Sequence, residues 1–194
     1  VTDWTMADVR RAVAAGDPRR LEVPGHGRAA ILVPVLDDPG GPALLLTVRA
    51  AGLARHAGQI AFPGGRVEDG EDAVRAALRE ALEEVGLRVD PGDVFGALDD
   101  RVSPFGLVAT PIVARVSWPA ALRLDAGEVA EAFVVPLALF VATPPVCETR
   151  WRDGRATLLH RYEVAGRSVW GLTGNVVKDL MDRLTRHAPV AGAC

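Results

Sequence analysis

Three glutamates, Glu80, Glu83 and Glu84, stand at i, i+3 and i+4, a spacing that gathers side chains on one face of a helix. Carboxylates so placed repel one another, and no lysine or arginine lies inside the triplet. A bound divalent cation relieves that repulsion, and carboxylate oxygens suit hard Mg²⁺ or Mn²⁺. The same spacing also fits a solvated acidic face on an ordinary core helix.

The triplet needs a helix to carry it. Val74, Ala77, Leu78, Ala81, Leu82 and Val85 recur at helical spacing and predict a continuous apolar stripe. Asp69, Glu71 and Asp72 suit the positive end of the helix dipole, and Gly86 supplies a stop. The acids fall to one side of the stripe, so a buried helix presents them at the edge of a cleft.

Taken together, Gly65, Glu71, Arg79, Glu80, Glu83, Glu84, Gly86 and Leu87 resemble the signature box of the Nudix hydrolases, which cleave nucleoside diphosphates linked to another moiety. Every spacing is kept, and Ala81 stands where a larger aliphatic residue is usual. The resemblance implies an α/β fold of the α+β kind, an α/β/α sandwich on a mixed central sheet. It implies one or more Mg²⁺ or Mn²⁺ ions bridging Glu80, Glu83 and Glu84 to a diphosphate, with the Gly64 carbonyl as a further ligand. Glu71 paired with Arg79 would hold the carboxylates in position, and Arg79 is also in reach of Glu83 at i+4. The general base stays open between Glu83 and Glu84 in the box and Glu128 or Glu131 on a later loop.

Upstream, the run LLTVRAAGLARHAGQIAFPGG resembles the motif of the coenzyme A pyrophosphatase branch of that family. Leu45, Leu46, Thr47, Arg49, Ala50, Gly58, Phe62, Pro63, Gly64 and Gly65 match; the usual arginine falls on Ala54, and the base comes one residue later as Arg55. Thinner support comes from Val169-Trp170-Gly171-Leu172-Thr173. The branch implies a coenzyme A-like nucleotide as the small-molecule partner, split into 3′,5′-ADP and 4′-phosphopantetheine. Arg49, Arg55 and His56 suit charge-assisted bonds to its phosphates, and Gly64 and Gly65 suit close backbone approach. Ordinary surface charges and a tight turn are the plainer accounts.

Composition sets the outer limits. The chain has 194 residues, 49% of them hydrophobic, and a net charge of −3, which argues against a nucleic-acid partner. Arginine outnumbers lysine 21 to 1, so a lone arginine is weak evidence of phosphate reading. Cys147 and Cys194 give neither a disulfide framework nor a metal spacing, and His26, His56, His160 and His187 form no zinc pattern. The apolar run from Ala132 to Ala142 is broken by Pro136 and is too short to cross a bilayer. With charges at Asp3, Asp8, Arg10 and Arg11 and no apolar core behind them, the expectation is a cytoplasmic chain without signal peptide or membrane contact. One domain over 1–194, opening with a helix and lead-in at 1–24, fits this length; a homodimer is left open.

Element by element, the sequence predicts a helix from Thr5 to Ala15, strands at Ala29 to Leu36 and Ala43 to Arg49 joined as a hairpin, and a short strand at Gln59 to Phe62. Strands follow near Val94 to Leu98 and Leu107 to Trp118. Glu128 to Leu139 reads as a strand breaking at Pro136 into a short helix. Arg150 to Ser168 suggests a hairpin turning at Asp153-Gly154. Gly171 to His187 closes the chain as a helix with Val176, Val177, Leu180, Met181 and Leu184 on its apolar face.

Overall fold

A computed structural model describes residues 4–52, 57–152 and 155–187. The elements are α1 (Met6–Ala14), β1 (Gly27–Asp37), β2 (Ala43–Arg49), β3 (Ile60–Ala61), β4 (Gly64–Arg66), α2 (Ala73–Val85), β5 (Val94–Ala97), β6 (Arg101–Val102), β7 (Leu107–Ser117), β8 (Val129–Pro136), α3 (Leu137–Ala142), β9 (Val146–Arg152), β10 (Arg155–Val164), β11 (Arg167–Val169) and α4 (Gly171–His187).

The larger sheet runs β3-β2-β1-β7-β5, with β4 also on β1, β6 on β7 and β8 on β2. Strands β1 and β7 run parallel from Gly27 opposite Leu107 to Asp37 opposite Ser117, while the other pairs are antiparallel, so the sheet is mixed. A strand covered on both faces reads as a near-continuous apolar run, and Leu32, Val33, Val35 and Leu36 of β1 are all fully buried. Their side chains alternate between two cores. Val33 and Val35 join Leu44, Leu46, Val9 of α1 and Leu180 of α4 on one face. Leu32 and Leu36 join Leu45 and the α2 residues Ala77, Ala81 and Val85 on the other. Helices cover both sides of a mixed sheet, which is the α/β/α sandwich that the sequence implies. A smaller sheet, β11-β10-β9, packs by Tyr162 edge-on to Phe140 of α3, ring centroids 5.3 Å apart.

Local signals account for most boundaries. Thr5 and Asp8 form a capping box at α1. Strand β8 ends at Pro136 and passes into α3, as expected. The five predicted apolar residues of α4 are all buried. The short β4 and β6 have no period long enough to show in the sequence, and the predicted turn at Asp153-Gly154 lies outside the described residues. No helix among the described residues is long and apolar enough to cross a membrane.

Candidate active site

Helix α2 is fixed at both ends. The Asp72 carboxylate accepts the Arg75 N–H at 2.9 Å, and Gly86 closes the helix in the left-handed region at φ 70°. Its buried face differs from the predicted stripe. Ala76, Ala77, Ala81, Glu84 and Val85 are buried, whereas Leu82 is 39% exposed. Three alanines let the helix lie close on the sheet, and the rotation carries Glu84 inward instead of Leu82. The unusual Ala81 of the box belongs to this seat, since it is fully buried.

Glu84 is 3% exposed. The Gly64 N–H donates to its Oε2 at 3.2 Å, and Arg49 Nη1 lies 3.8 Å from its Oε1. Burial pushes the Glu84 carboxyl up to about 7 against those two partners, and the charges of Glu128 and Glu80 add to the rise. Burial also raises Glu80, opposed by its bond from Arg79 and reinforced by Glu83 and Glu128. Both glycines of the loop answer to protein atoms. A Cβ on Gly64 would stand 2.4 Å from the Ala30 carbonyl oxygen, and one on Gly65 would stand 2.3 Å from Glu80 Oε1.

The triplet is relieved from outside, and more widely than the expected reach of Arg79 to Glu83. Arg79, outside the triplet in sequence, donates to Glu71 at 3.1 Å, Glu80 at 3.0 Å, Glu83 at 3.2 Å and the Arg66 carbonyl at 3.0 Å. Its bonds to Glu71 raise its own pKa and hold the Glu71 carboxyl below the usual range. The Glu68 N–H donates to Glu71 Oε2 at 3.1 Å and fixes that acid from its other side, a backbone contact that no residue type announces.

The candidate residues divide by location. Glu71, Arg79, Glu80, Glu84, Gly64, Gly65 and Arg49 come together, and Glu83 sits at the rim with its side chain 60% exposed. Glu128 joins them: its charge acts on both Glu80 and Glu84, and its carbonyl accepts the Ala50 N–H at 2.8 Å. Glu131 does not. It lies opposite Val48 on the sheet face shared by Leu46, Phe133 and Val135, away from α2, and both its oxygens accept from Arg167 at 2.6 and 3.0 Å. Glu128 precedes β8 and Glu131 lies within it, beyond the bulge opposite Val48 and Arg49, which separates the two acids that the sequence leaves equal. Arg55 and His56 lie outside the described residues.

Among the described residues, no three acidic, histidine or cysteine side chains already converge as a cage for an ion. The donor chemistry nonetheless fits a hard divalent cation. Glu80 and Glu84 are all-oxygen donors, each raised by burial and by each other's neighbours, and a cation beside them would lower both.

Comparison with known proteins bears on the family and the fold. The family model described as the NUDIX domain matches residues 25–162. NudL of Escherichia coli strain K12, described as an uncharacterized Nudix hydrolase, is 37% identical over 163 residues, covering 82% of this chain and 83% of NudL. Among solved structures, a Nudix hydrolase from M. smegmatis, RenU, superposes with a TM-score of 0.56 at 20% identity, covering 87% of this chain and 90% of RenU. A MutT/nudix family protein from Enterococcus faecalis gives 0.59 at 13% identity, covering 94% and 70%.

Proposed function

This chain belongs to the Nudix hydrolase family, and on that footing we propose that it cleaves the diphosphate bond of coenzyme A or its acyl derivatives, releasing 3′,5′-ADP and the matching 4′-phosphopantetheine. One observation carries the reading. The segment that resembles the coenzyme A branch folds directly onto the Nudix helix, bringing Arg49 to 3.8 Å from Glu84 and Gly65 against Glu80. The Arg49 Nε is buried without a hydrogen-bond partner among the described residues, which leaves donor capacity for phosphate oxygens.

Glu80 and Glu84, with Glu83 and the Gly64 carbonyl at the margin, would hold Mg²⁺ or Mn²⁺, which when bound would supply charge neutralisation at phosphorus and a more acidic water. The protein does the positioning. Arg79 braces Glu80 and Glu83 from behind while itself anchored on Glu71. Arg49 balances the charge of Glu84 and faces the phosphates. Glu128, exposed yet close enough to act on both Glu80 and Glu84, takes the proton of the attacking water.

Side-by-side turnover of coenzyme A and ADP-ribose with Mg²⁺ tests the substrate. Coenzyme A is expected to be the better substrate; hydrolysis of ADP-ribose alone would move the chain to another branch of the family. Arg49→Ala is expected to raise KM for coenzyme A more than for the analogue lacking the 3′-phosphate. Equal effects on the two would remove Arg49 from that contact.

A further inference from the structure

Strand β3 is two residues long and pairs β2 at Thr47 and Val48, on the same edge of β2 that β1 pairs at Ala43 and Leu44, while β8 takes the opposite edge. From β3 the chain leads through Phe62 and Pro63 into Gly64 and Gly65, the backbone on which Glu84 and Glu80 rest. So short a strand has few ladder bonds of its own to fix it. Two buried threonines make up the difference. Thr47 of β2, 1% exposed, donates its hydroxyl to the Ala61 carbonyl at 3.1 Å. Thr173 of α4, 6% exposed, donates to the neighbouring Ile60 carbonyl at 3.0 Å. Each hydroxyl would stand unpaired in an apolar surround without that carbonyl.

The seating of Thr173 is itself specified. Gly171 opens α4 at φ 70°, and a Cβ on Gly174 would fall 2.1 Å from the His160 carbonyl oxygen. Only a glycine lets the first turn of α4 settle this closely on β10. Beyond the clamp, Phe62 is buried in the core under α4, and the Pro63 carbonyl accepts the Leu32 N–H at 2.8 Å. The path from α4 to the Gly64 loop is therefore held at each step.

We infer that Thr47 and Thr173 are positioning residues that clamp β3 from two sides and so keep the Gly64 N–H on Glu84 and Gly65 against Glu80. The inference rests on the reading of Glu80 and Glu84 as the metal-dependent centre. It gives one physical reason for two separate pieces of sequence, Leu-Leu-Thr-x-Arg and Val-Trp-Gly-Leu-Thr, whose threonines meet on adjacent carbonyls.

Thr173→Val keeps the shape and deletes the donor; Thr173→Ser restores the donor and deletes a methyl. Thr47→Val and Thr47→Ser repeat the comparison from the other side. Mn²⁺ binding without substrate is read by electron paramagnetic resonance, alongside kcat, KM for coenzyme A with Mg²⁺, and the melting temperature. Thr173→Val is expected to weaken Mn²⁺ binding and to lower kcat, each by about tenfold, with KM little changed. Serine at either position is expected to restore both. Mn²⁺ affinity and kcat like those of the unchanged chain in Thr173→Val, or a loss that serine fails to repair, would overturn the clamp. Glu84→Gln separates the two claims. If Glu84→Gln loses Mn²⁺ while Thr173→Val binds normally, the clamp alone fails. If Glu84→Gln binds Mn²⁺ as before, the metal centre fails and takes the clamp with it.

Discussion

A carboxylate only 3% exposed and raised from 4.5 to about 7 is ionised against the preference of its surroundings. The sign of the linkage follows. Because the folded value lies above the unfolded one, the stability linked to Glu84 is fully present below about pH 4.5 and is lost as pH rises through about 7. Glu80, also raised by burial, acts in the same direction. The metal-free chain should therefore melt at falling temperature between about pH 5 and about pH 8. Glu84→Gln should flatten that slope, stabilise the chain at the alkaline end, and still cut turnover at least about a hundredfold. Melts in chelator at both ends of the range, paired with kcat, check this; an unchanged slope would mean that Glu84 is not a buried charge. Arg79 supplies a second test. Its planar fork reaches Glu71, Glu80 and Glu83 at once, which a lysine's single ammonium does not reproduce. Arg79→Lys should weaken Mn²⁺ binding by about 10- to 100-fold, read by titration of the folded protein.

At the scale of the element, α2 shows how far periodicity reaches. Its length, its acids and its glycine stop are all legible, because each depends on neighbours within a turn or two. Its rotation is not. The predicted stripe weights leucines above alanines and so includes Leu82, but close approach to the sheet selects Ala76, Ala77 and Ala81 instead. That choice also buries Glu84. Leu82→Ala should accordingly cost less than about 1 kcal/mol, whereas Ala81→Leu should cost about 1–3 kcal/mol by overpacking. Denaturant melts of the two variants decide it, and the reverse order would restore the predicted stripe. The same distinction explains the acids. Glu80, Glu83 and Glu84 declare themselves by spacing, but Glu128 and Glu131 are separated by where β8 begins and by its bulge against β2, a contact between distant parts of the chain. Arg79's grip on Glu80 is likewise invisible to helical spacing, since adjacent residues do not face one another on an ideal helix.

Across the whole molecule, a second buried acid balances the first. Asp100, fully buried, joins the N-terminal lead-in to the sheet: it accepts from Arg20 at 2.7 Å, the Leu21 N–H at 3.0 Å, Arg28 at 3.1 Å and Thr110 at 2.8 Å. Beside it, Asp99 accepts from Arg183 of α4 at 2.8 Å, so one short segment ties both termini to the core. Burial alone would raise Asp100, but the Leu21 N–H, Thr110, Arg20 and Arg28 together hold it below 3.8. Its contribution is therefore present above the ordinary carboxylate pKa and is lost as pH falls below it, opposite in sense to Glu84. Asp100→Ala should cost about 1–3 kcal/mol, because the Leu21 N–H and the Thr110 hydroxyl lose their acceptor while the half-exposed Arg20 and Arg28 turn to water. The metal-free chain should then be most stable between about pH 4 and about pH 5, declining on the acid side through Asp100 and on the alkaline side through Glu84. Saturating Mn²⁺ should move that maximum upward, because an ion bound by ionised Glu80 and Glu84 stabilises the form that burial penalises. Urea melts across the range, with and without the ion, resolve the two limbs. An alkaline limb that Mn²⁺ leaves in place would separate Glu80 and Glu84 from metal binding altogether.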